Sequence, residues 1–236
     1  MSSDPGSPEP AVTTSDPGQP GPGSASAGPA VVPGWDIIRA TTADAPALAD
    51  VIAEAFLDLP PSRWLIPEPD ARRRAYPGYF LLYVEHALDA GIVHTTPKRD
   101  AAALWLPSDC PPPPDYPARL AAATAPWTSR FQIFDQALDD HHPASPPHRH
   151  LAILAVHPDA QGHGTGTALL TTYHHRLDQH GLPAYLEASA PRNRDFYQRH
   201  GYADHGPPIR LPDSTPMWPM WRKPCEQPEH PSLAGR

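Results

Sequence analysis

Apolar and polar positions follow two different periods along the middle of the chain. In the stretch TTADAPALADVIAEAF, apolar residues recur at Leu48, Val51, Ile52, Ala55 and Phe56, which is the spacing of one face of a helix. Apolar runs such as AAALWLP and HLAILAV are short, continuous and bounded by turn residues, a pattern that favours buried strands. The two patterns alternate along the chain.

This alternation predicts a mixed sheet flanked by helices rather than a fully parallel, doubly wound one. The predicted strands cover 34–41, 91–96, 101–107, 150–156 and 183–189, with two short strands around a loop after Gly201. The predicted helices cover 41–56, 69–91 (bent at Pro77), 116–124, 127–139, 164–180 and 193–201.

Composition sets the limits of the folded part. Proline contributes 36 of the 236 residues, and segment 1–34 is so rich in Pro, Gly and Ser that it predicts a disordered tail. The segment 225–236 predicts a flexible tail in the same way, which leaves one domain over 35–224.

Charge and hydropathy exclude several classes of partner. The formal net charge is −8, so neither a nucleic acid nor a membrane surface is expected as a partner. No window is apolar for long enough to span a bilayer, and the N-terminus lacks the pattern of a secretory signal. The two cysteines have no metal-ligand spacing. We therefore expect a cytoplasmic protein.

Several polar clusters predict solvated surface rather than a site. His141, His142, His148 and His150 lie in a proline-rich stretch; a metal site is one interpretation, but an exposed histidine-rich loop is favoured, and no metal is predicted. The arginines at 72–74 are expected on the outer face of the second helix, and the histidines at 174 and 175 on a solvated helix face.

The stretch AVHPDAQGHGTGTALL joins a predicted strand to a predicted helix through a glycine-rich turn. Such a turn exposes the free N–H groups of the first helical turn at the positive end of the helix dipole, where phosphate binds. A P-loop would need a lysine, which is absent, and a Rossmann turn would need G-x-G-x-x-G, whereas the spacing here is G-x-G-x-G. The spacing alone leaves a phosphate site and a packing cluster open.

The flanking residues resemble a known family. The positions Gln161, Gly164 and Gly166 match the acetyl-CoA signature Q/R-x-x-G-x-G/A of the GNAT acyltransferase superfamily. The downstream stretch YLEASAPRNRDFYQRHGY is similar to the second half of that superfamily, most of all to the puromycin N-acetyltransferase type. The resemblance covers about 35–224 and is strong over 150–202. It implies an α/β fold with a mostly antiparallel sheet of six to seven strands, whose central strands splay apart.

The resemblance also implies acetyl-CoA as co-substrate, with no metal. Backbone groups of the strand before the turn would bind the pantetheine arm, the turn amides would hold the pyrophosphate, and an asparagine would contact the arm. The residues that match these roles are, in that order, Leu154, Ala155 and Val156; Gln161, Gly162, His163, Gly164, Thr165, Gly166 and Thr167; and Asn193.

Two residues are the candidates for catalysis. Tyr197 matches the tyrosine that donates a proton to the departing CoA thiolate; the alternative is a core aromatic. Glu187 is an acid in an otherwise apolar strand. Burying a carboxylate costs free energy unless it is paired or solvated, so its presence there calls for a function. It either binds the acceptor ammonium or accepts its proton through water; the alternative is a sheet-edge carboxylate. Ser189 and Trp64 are expected to contact the acceptor, Trp64 from a loop.

These residues predict direct transfer of an acetyl group to a primary amine of a small molecule, such as an amine-bearing antibiotic or metabolite. No cysteine lies in the motif block, which disfavours a covalent acyl-enzyme. The alternatives are acetylation of a protein N-terminus or lysine, and a CoA-binding sensor without turnover. A monomer or a homodimer is expected.

Overall fold

The structure, a computed structural model, describes residues 36–225. The predicted tail over 1–34 lies outside the described residues, as does the predicted C-terminal tail beyond Cys225. In the described part, no helix is both long and apolar enough to cross a membrane.

The chain forms strands and helices close to the predicted positions. The strands are β1 Ile38–Arg39, β2 Ile92–Thr95, β3 Ala101–Pro107, β4 Arg149–Val156, β5 Ala184–Ala188, β6 Ala203–Asp204, β7 Ile209–Arg210 and β8 Pro216–Arg222. The helices are α1 Ala45–Phe56, α2 Pro60–Leu65, α3 Pro69–Ala90, α4 Tyr116–Thr124, α5 Thr128–Asp139, α6 Thr165–Gln179 and α7 Pro191–Gln198.

The strands pair in the order β1-β2-β3-β4-β5-β8-β6, with β7 paired to β8. All pairs are antiparallel except β4 with β5. These two parallel strands pair only at Arg149–Ala184 and His150–Tyr185, so they separate from Leu151 onward. The predicted mixed, mostly antiparallel sheet with splayed central strands is confirmed, and among the described residues it has eight strands.

The sheet separates two apolar cores because successive strand residues face opposite sides. On β3, Ala102 and Leu104 pack with α1 and α3, whereas Ala103 and Trp105 pack with α6. The alternation breaks on β4, because Ile153 lies opposite Leu104 while Leu151 lies opposite Trp105. Ala152 is therefore the extra residue of a β-bulge, at the place where β4 leaves β5.

The N-terminal half differs from the prediction in two ways. Helix α2 was not predicted. Arg72, expected on an outer face, is only 2% exposed. Its guanidinium donates hydrogen bonds to the carbonyls of Leu57 (2.8 Å), Ile66 (2.7 Å) and Pro67 (2.8 Å). These carbonyls surround α2 and satisfy the buried charge, which sequence periodicity cannot show.

The C-terminal half contains a third strand beyond the two short ones expected, because β8 pairs with β5, β6 and β7. His174, expected on a solvated face, is buried on α6, and its Nε2 lies 3.1 Å from the Tyr202 hydroxyl. This contact ties α6 to the segment after α7. Arg222 on β8 forms a two-point ion pair with Asp178 at 2.8 and 2.7 Å.

Candidate active site

A cavity of about 570 Å³ opens where β4 and β5 separate. Its walls come from α1, α2, α3 and α5 on one side, and from β4, the glycine turn and α7 on the other. The cavity brings together most of the residues predicted from the sequence. Those that line it are Leu154, Ala155, Val156, Gln161, Gly162, Gly164, Thr165, Gly166, Thr167, Glu187, Ser189, Asn193 and Tyr197.

Two predicted site residues do not line the cavity. His163 is exposed on the turn. Trp64 lies on α2 rather than in a loop, because Pro60 and Pro61 occupy the first positions of that helix, where proline is favoured. Its ring packs against the core of α1 and α3, with the Arg130 guanidinium 5.8 Å from the ring centroid. The predicted acceptor contact from Trp64 is therefore not supported by its position.

The glycine turn is shaped by two residues with positive φ. Gly162 has φ 82° and Gly164 has φ 90°, a left-handed conformation that side chains with a Cβ rarely adopt. Gly164 is the N-cap of α6 and supplies no side-chain cap. The N–H groups of Thr165, Gly166 and Thr167 are thus left without helical partners at the positive end of a 15-residue helix. The turn has the features of an anion site.

Close packing holds this turn against its neighbours. A Cβ on Gly166 would lie 3.4 Å from Phe196 Cζ and 3.8 Å from Val156 Cγ2, so a glycine here lets α6 approach α7 and β4. The side chain of Gln161 folds back, and its Nε2 donates to the Val156 carbonyl at 3.0 Å. This hydrogen bond joins the turn to the end of β4.

Glu187 and His150 form a hydrogen-bonded pair where β4 and β5 begin to separate. His150 Nε2 lies 2.9 Å from Glu187 Oε2, and the two side chains are 19% and 6% exposed. Burial alone acts to raise the pKa of Glu187, but the adjacent His150 outweighs it and holds that pKa below its usual value. Glu187 is thus a carboxylate that can orient an imidazole facing the cavity.

Tyr197 and Asn193 reach the cavity from α7. Tyr197 is buried between Phe196 and Tyr202, with ring centroids 5.4 and 5.7 Å away. Burial raises the pKa of its phenol well above the usual value, so the group keeps its proton at neutral pH. Asn193 Nδ2 donates to Ser189 Oγ at 3.1 Å. Ser189, which directly follows β5, and Asn193 on α7 are therefore joined at the cavity wall.

Aromatic side chains form the opposite half of the cavity. They come from α1, α3 and α5 and comprise Phe56, Tyr76, Tyr79, Phe80, Tyr83 and Phe134. Behind this wall, the Tyr116 hydroxyl donates to Asp135 Oδ2 at 2.8 Å and Tyr83 to Oδ1 at 3.5 Å. Burial raises the pKa of Asp135 to about 6. This half of the cavity suits an apolar or aromatic group.

A comparison of the sequence with known protein families agrees with the geometry of this cavity. Residues 133–204 match the model of the acetyltransferase (GNAT) domain. That segment runs from α5 to β6 and includes β4, the glycine turn, β5 and α7, so the matched residues build the motif half of the cavity.

Solved structures with the same fold extend the likeness over most of the chain. A histone acetyltransferase HPA2 and related acetyltransferase from Corynebacterium glutamicum is 29% identical, with 83% of this chain and 99% of that chain covered and a TM-score of 0.61. Arylalkylamine N-acetyltransferase 2 from Aedes aegypti is 9% identical (81% and 100% covered, TM-score 0.54). A polyamine N-acetyltransferase from Drosophila melanogaster is 18% identical (79% and 98%, TM-score 0.50). The predicted acetyltransferase class and fold are confirmed.

One histidine and two arginines that line the cavity were not among the predicted site residues. His150 was assigned to an exposed histidine-rich loop but is the second residue of β4. Arg192 lies on α7 and Arg199 directly follows its last residue, and neither forms an ion pair with any other described residue. Their spacing to Phe196 (i, i+4, i+7) places all three on one helix face, a signal that was available in the sequence.

The histidine cluster is also more buried than predicted. His148 is 3% exposed, and its Nε2 lies 3.2 Å from His142 Nε2. Only His141 is exposed, with its Nδ1 2.8 Å from the Ala137 carbonyl. The expectation of an exposed loop is wrong for His148 and His150, because Tyr185 on β5 and Trp221 on β8 pack against the rings.

Proposed function

We propose that the protein transfers the acetyl group of acetyl-CoA to a primary amine of a small molecule by direct attack on the thioester. One observation carries the proposal. A single cavity connects the anion-binding glycine turn, the protonated Tyr197 and the His150–Glu187 pair. These are the parts needed to hold a CoA phosphate, protonate a leaving thiolate and accept a proton from an amine.

Acetyl-CoA fits the motif half of this cavity. The pyrophosphate would accept hydrogen bonds from the first N–H groups of α6, and the exposed Arg192 and Arg199 add positive charge nearby. Because β4 lacks a strand partner beyond His150 on its β5 side, its backbone from Leu154 to Val156 is open to hydrogen bonds from the pantetheine arm. Asn193 lies beside this path.

The chemistry follows from the groups around the cavity. His150, oriented by Glu187, accepts a proton from the acceptor ammonium, which frees the nitrogen lone pair. The nitrogen attacks the thioester carbon and a C–N bond forms, with the negative oxygen near the amide of Val156. The intermediate then collapses and the C–S bond breaks. Tyr197 donates its proton to the thiolate, the second proton that the nitrogen loses returns to the Tyr197 phenolate through solvent, and His150 releases its proton to solvent. Glu187 is thus assigned as a positioning residue for the base.

The acceptor is proposed to carry an aromatic or apolar body next to its amine. The wall formed by Phe56, Tyr79, Phe80 and Tyr83 supports this choice, because such walls bind apolar groups and attract an ammonium through their ring faces. An amine-bearing antibiotic or metabolite of the puromycin type belongs to this class. The similar protein from Corynebacterium is named as a histone acetyltransferase. Lysine side chains of proteins are therefore a competing class of acceptor.

A mass-shift screen with acetyl-CoA tests the proposal. The panel contains arylalkylamines, aminonucleosides, linear polyamines and lysine-containing peptides, and CoA thiol release is measured in parallel. We expect acetylated products from the aromatic amines, with kcat/KM at least about 10-fold above that for linear polyamines, the scale of about 1.4 kcal/mol of apolar contact. Products from peptides alone would support the competing class, and acetyl-CoA binding without any thiol release would support a sensor.

A further inference from the structure

We propose that His142, His150 and Glu187 form a binding site for a Zn²⁺ ion, and that the bound ion stops acetyl transfer by leaving neither ring nitrogen of His150 free to accept a proton. The inhibitory part rests on the role proposed above for His150, whereas the binding site itself does not.

The three side chains converge from separate parts of the fold. His142 follows α5, His150 lies on β4 and Glu187 on β5. One ligand atom of each lies within 4.8 Å of the other two. Two imidazoles and one carboxylate are a donor set that Zn²⁺ uses when it keeps a fourth position open. Small rotations of the side chains bring such atoms to coordination distance.

A second observation points to a missing ligand. Glu187 Oε1 is buried and has no hydrogen-bond partner among the described residues, although the side chain is only 6% exposed. An unpaired buried oxygen of a carboxylate costs free energy. The His150 hydrogen bond satisfies only the other oxygen, Oε2. A cation between the three side chains would satisfy Oε1 as well.

The ring of His142 is held from behind, as metal-binding histidines commonly are. His148 Nδ1 lies 2.9 Å from the Pro146 carbonyl, which can only accept, so Nδ1 carries the hydrogen. His148 Nε2 is then free to accept from His142 Nε2 at 3.2 Å. The pair of contacts fixes the plane of the His142 ring beside the cluster.

Binding of the ion and base catalysis exclude each other. Coordination at His150 Nε2 replaces the hydrogen that Nε2 shares with Glu187. The remaining hydrogen of the neutral imidazole then lies on Nδ1, so neither ring nitrogen keeps a lone pair that could accept the proton of the amine. His150 and Glu187 line the cavity, whereas His142 does not. A substitution of His142 should therefore weaken ion binding without removing a group that the proposed reaction uses.

The test compares the full chain with His142→Ala, and with His141→Ala as the matched control, because His141 is the exposed neighbour outside the cluster. Zn²⁺ binding is measured by calorimetry, and Co²⁺ binding by its visible absorption. We expect one ion per chain for the wild type and for His141→Ala, and at least about 10-fold weaker binding for His142→Ala. Thermal melting checks that each variant folds. If His142→Ala does not fold, His142→Gln takes its place.

Activity is then recorded as the ratio of turnover with and without Zn²⁺. This ratio should fall at least about 10-fold for the wild type and return when the ion is chelated, but stay near one for His142→Ala. Equal Zn²⁺ affinity in the wild type and His142→Ala would overturn the site, and a wild type that binds Zn²⁺ yet keeps its turnover would overturn the inhibition. A chain without turnover on any amine would contradict the proposed function, while the Co²⁺ spectra would still decide the site.

Discussion

Tyr197 is the residue on which the proposed last step depends. Its hydroxyl is the only difference from phenylalanine, and burial keeps that hydroxyl protonated. Tyr197→Phe should lower kcat by about 100-fold, the usual contribution of a general acid, and leave the Kd for acetyl-CoA nearly unchanged. Steady-state kinetics and calorimetry measure the two quantities.

Tyr202→Phe is the matched control for Tyr197→Phe. Tyr202 is also buried, packs against Tyr197 and does not line the cavity. Loss of its hydroxyl removes the contact with His174, so stability should fall while kcat stays within about twofold. An equal loss of kcat in both variants would show that packing, and not proton transfer, explains the effect of Tyr197→Phe.

His150 and Glu187 should act as a unit if one orients the other. His150→Gln and Glu187→Gln each remove the charge-assisted hydrogen bond of 2.9 Å between the two side chains. We expect each to reduce kcat/KM by at least about 100-fold, and the double variant to be no worse than His150→Gln alone, since groups that act together are not additive. Effects that multiply in the double variant would assign separate roles to the two residues.

Sequence and structure agree best for residues whose role depends on local chain geometry. Gly164 and Tyr197 were assigned from a turn and a helix that the sequence specifies within a few positions. The predictions for His150 and His174 are wrong because their partners are remote in the chain. Glu187 lies 37 residues from His150, and Tyr202 lies 28 residues from His174. Contacts of this kind depend on strand order and helix packing, which periodicity does not encode.

The start of α6 depends on the positive φ of Gly164. Alanine in this conformation costs about 1–2 kcal/mol, and relaxing it would turn the first N–H groups of the helix away from the phosphate. Gly164→Ala should therefore raise the Kd for acetyl-CoA at least about 10-fold, in addition to a small loss of stability. Isothermal titration measures the affinity.

Gly181→Ala is the comparison for Gly164→Ala. Gly181 has φ 63°, and a Cβ there would meet nothing within 4 Å, but the residue lies beyond the other end of α6. The same backbone strain in Gly181→Ala should lower the melting temperature of the protein without changing its Kd for acetyl-CoA. If both variants bind acetyl-CoA with equal affinity, the glycine turn is not the phosphate site.

Helix α6 is fastened to β8 by the ion pair between Asp178 and Arg222, whose side chains are 15% and 7% exposed. Burial acts to raise the pKa of Asp178, but hydrogen bonds from Arg222 and the Cys225 amide outweigh it and lower that pKa. A lowered pKa stabilises the fold at pH values above the unfolded value of about 4, and this stabilisation is lost as the pH falls through the folded pKa.

Asp178→Asn should accordingly reduce the free energy of unfolding by about 2 kcal/mol at pH 7, and the difference from the wild type should shrink below about pH 4. Urea unfolding at pH 7 and pH 3 gives both values. The exposed Asp50 on α1 provides the control variant Asp50→Asn, for which no difference is expected at either pH. A deficit for Asp178→Asn that is as large at pH 3 as at pH 7 would contradict the ionic origin.

Helices and strands were predictable in proportion to their length. The periodic pattern defines α1, α3 and α6 because each presents several turns to a core. The six-residue α2 is too short to show a period, and its place depends on the buried Arg72. The bulge at Ala152 is invisible in the apolar run HLAILAV, because it is set by pairing with β3. That bulge changes which face of β4 meets the cavity.

The two apolar cores on either side of the sheet explain where the cavity forms. The core of α1 and α3 and the core of α6 share β3 and β4, whereas β5 and β8 pack with the α6 core. Past His150, no hydrogen bonds join β4 to β5, so the middle of the sheet is open at its cavity end. A ligand that fills this opening should stabilise both halves of the fold together.

Acetyl-CoA at about 100 times its Kd should therefore stabilise the protein by about 2.7 kcal/mol, which for a domain of this size raises the melting temperature by roughly 5–10 °C. The control compound, 3′-phosphoadenosine 5′-diphosphate, keeps the pyrophosphate but has no pantetheine arm. Both compounds are used at the same fixed concentration, because at equal saturation every ligand specific for the folded state gives the same shift. We expect a clearly smaller shift for the diphosphate in differential scanning calorimetry, because the arm is the part of acetyl-CoA that we propose lies along β4 and beside Asn193. Equal shifts would show that the arm does not occupy the opening between β4 and β5.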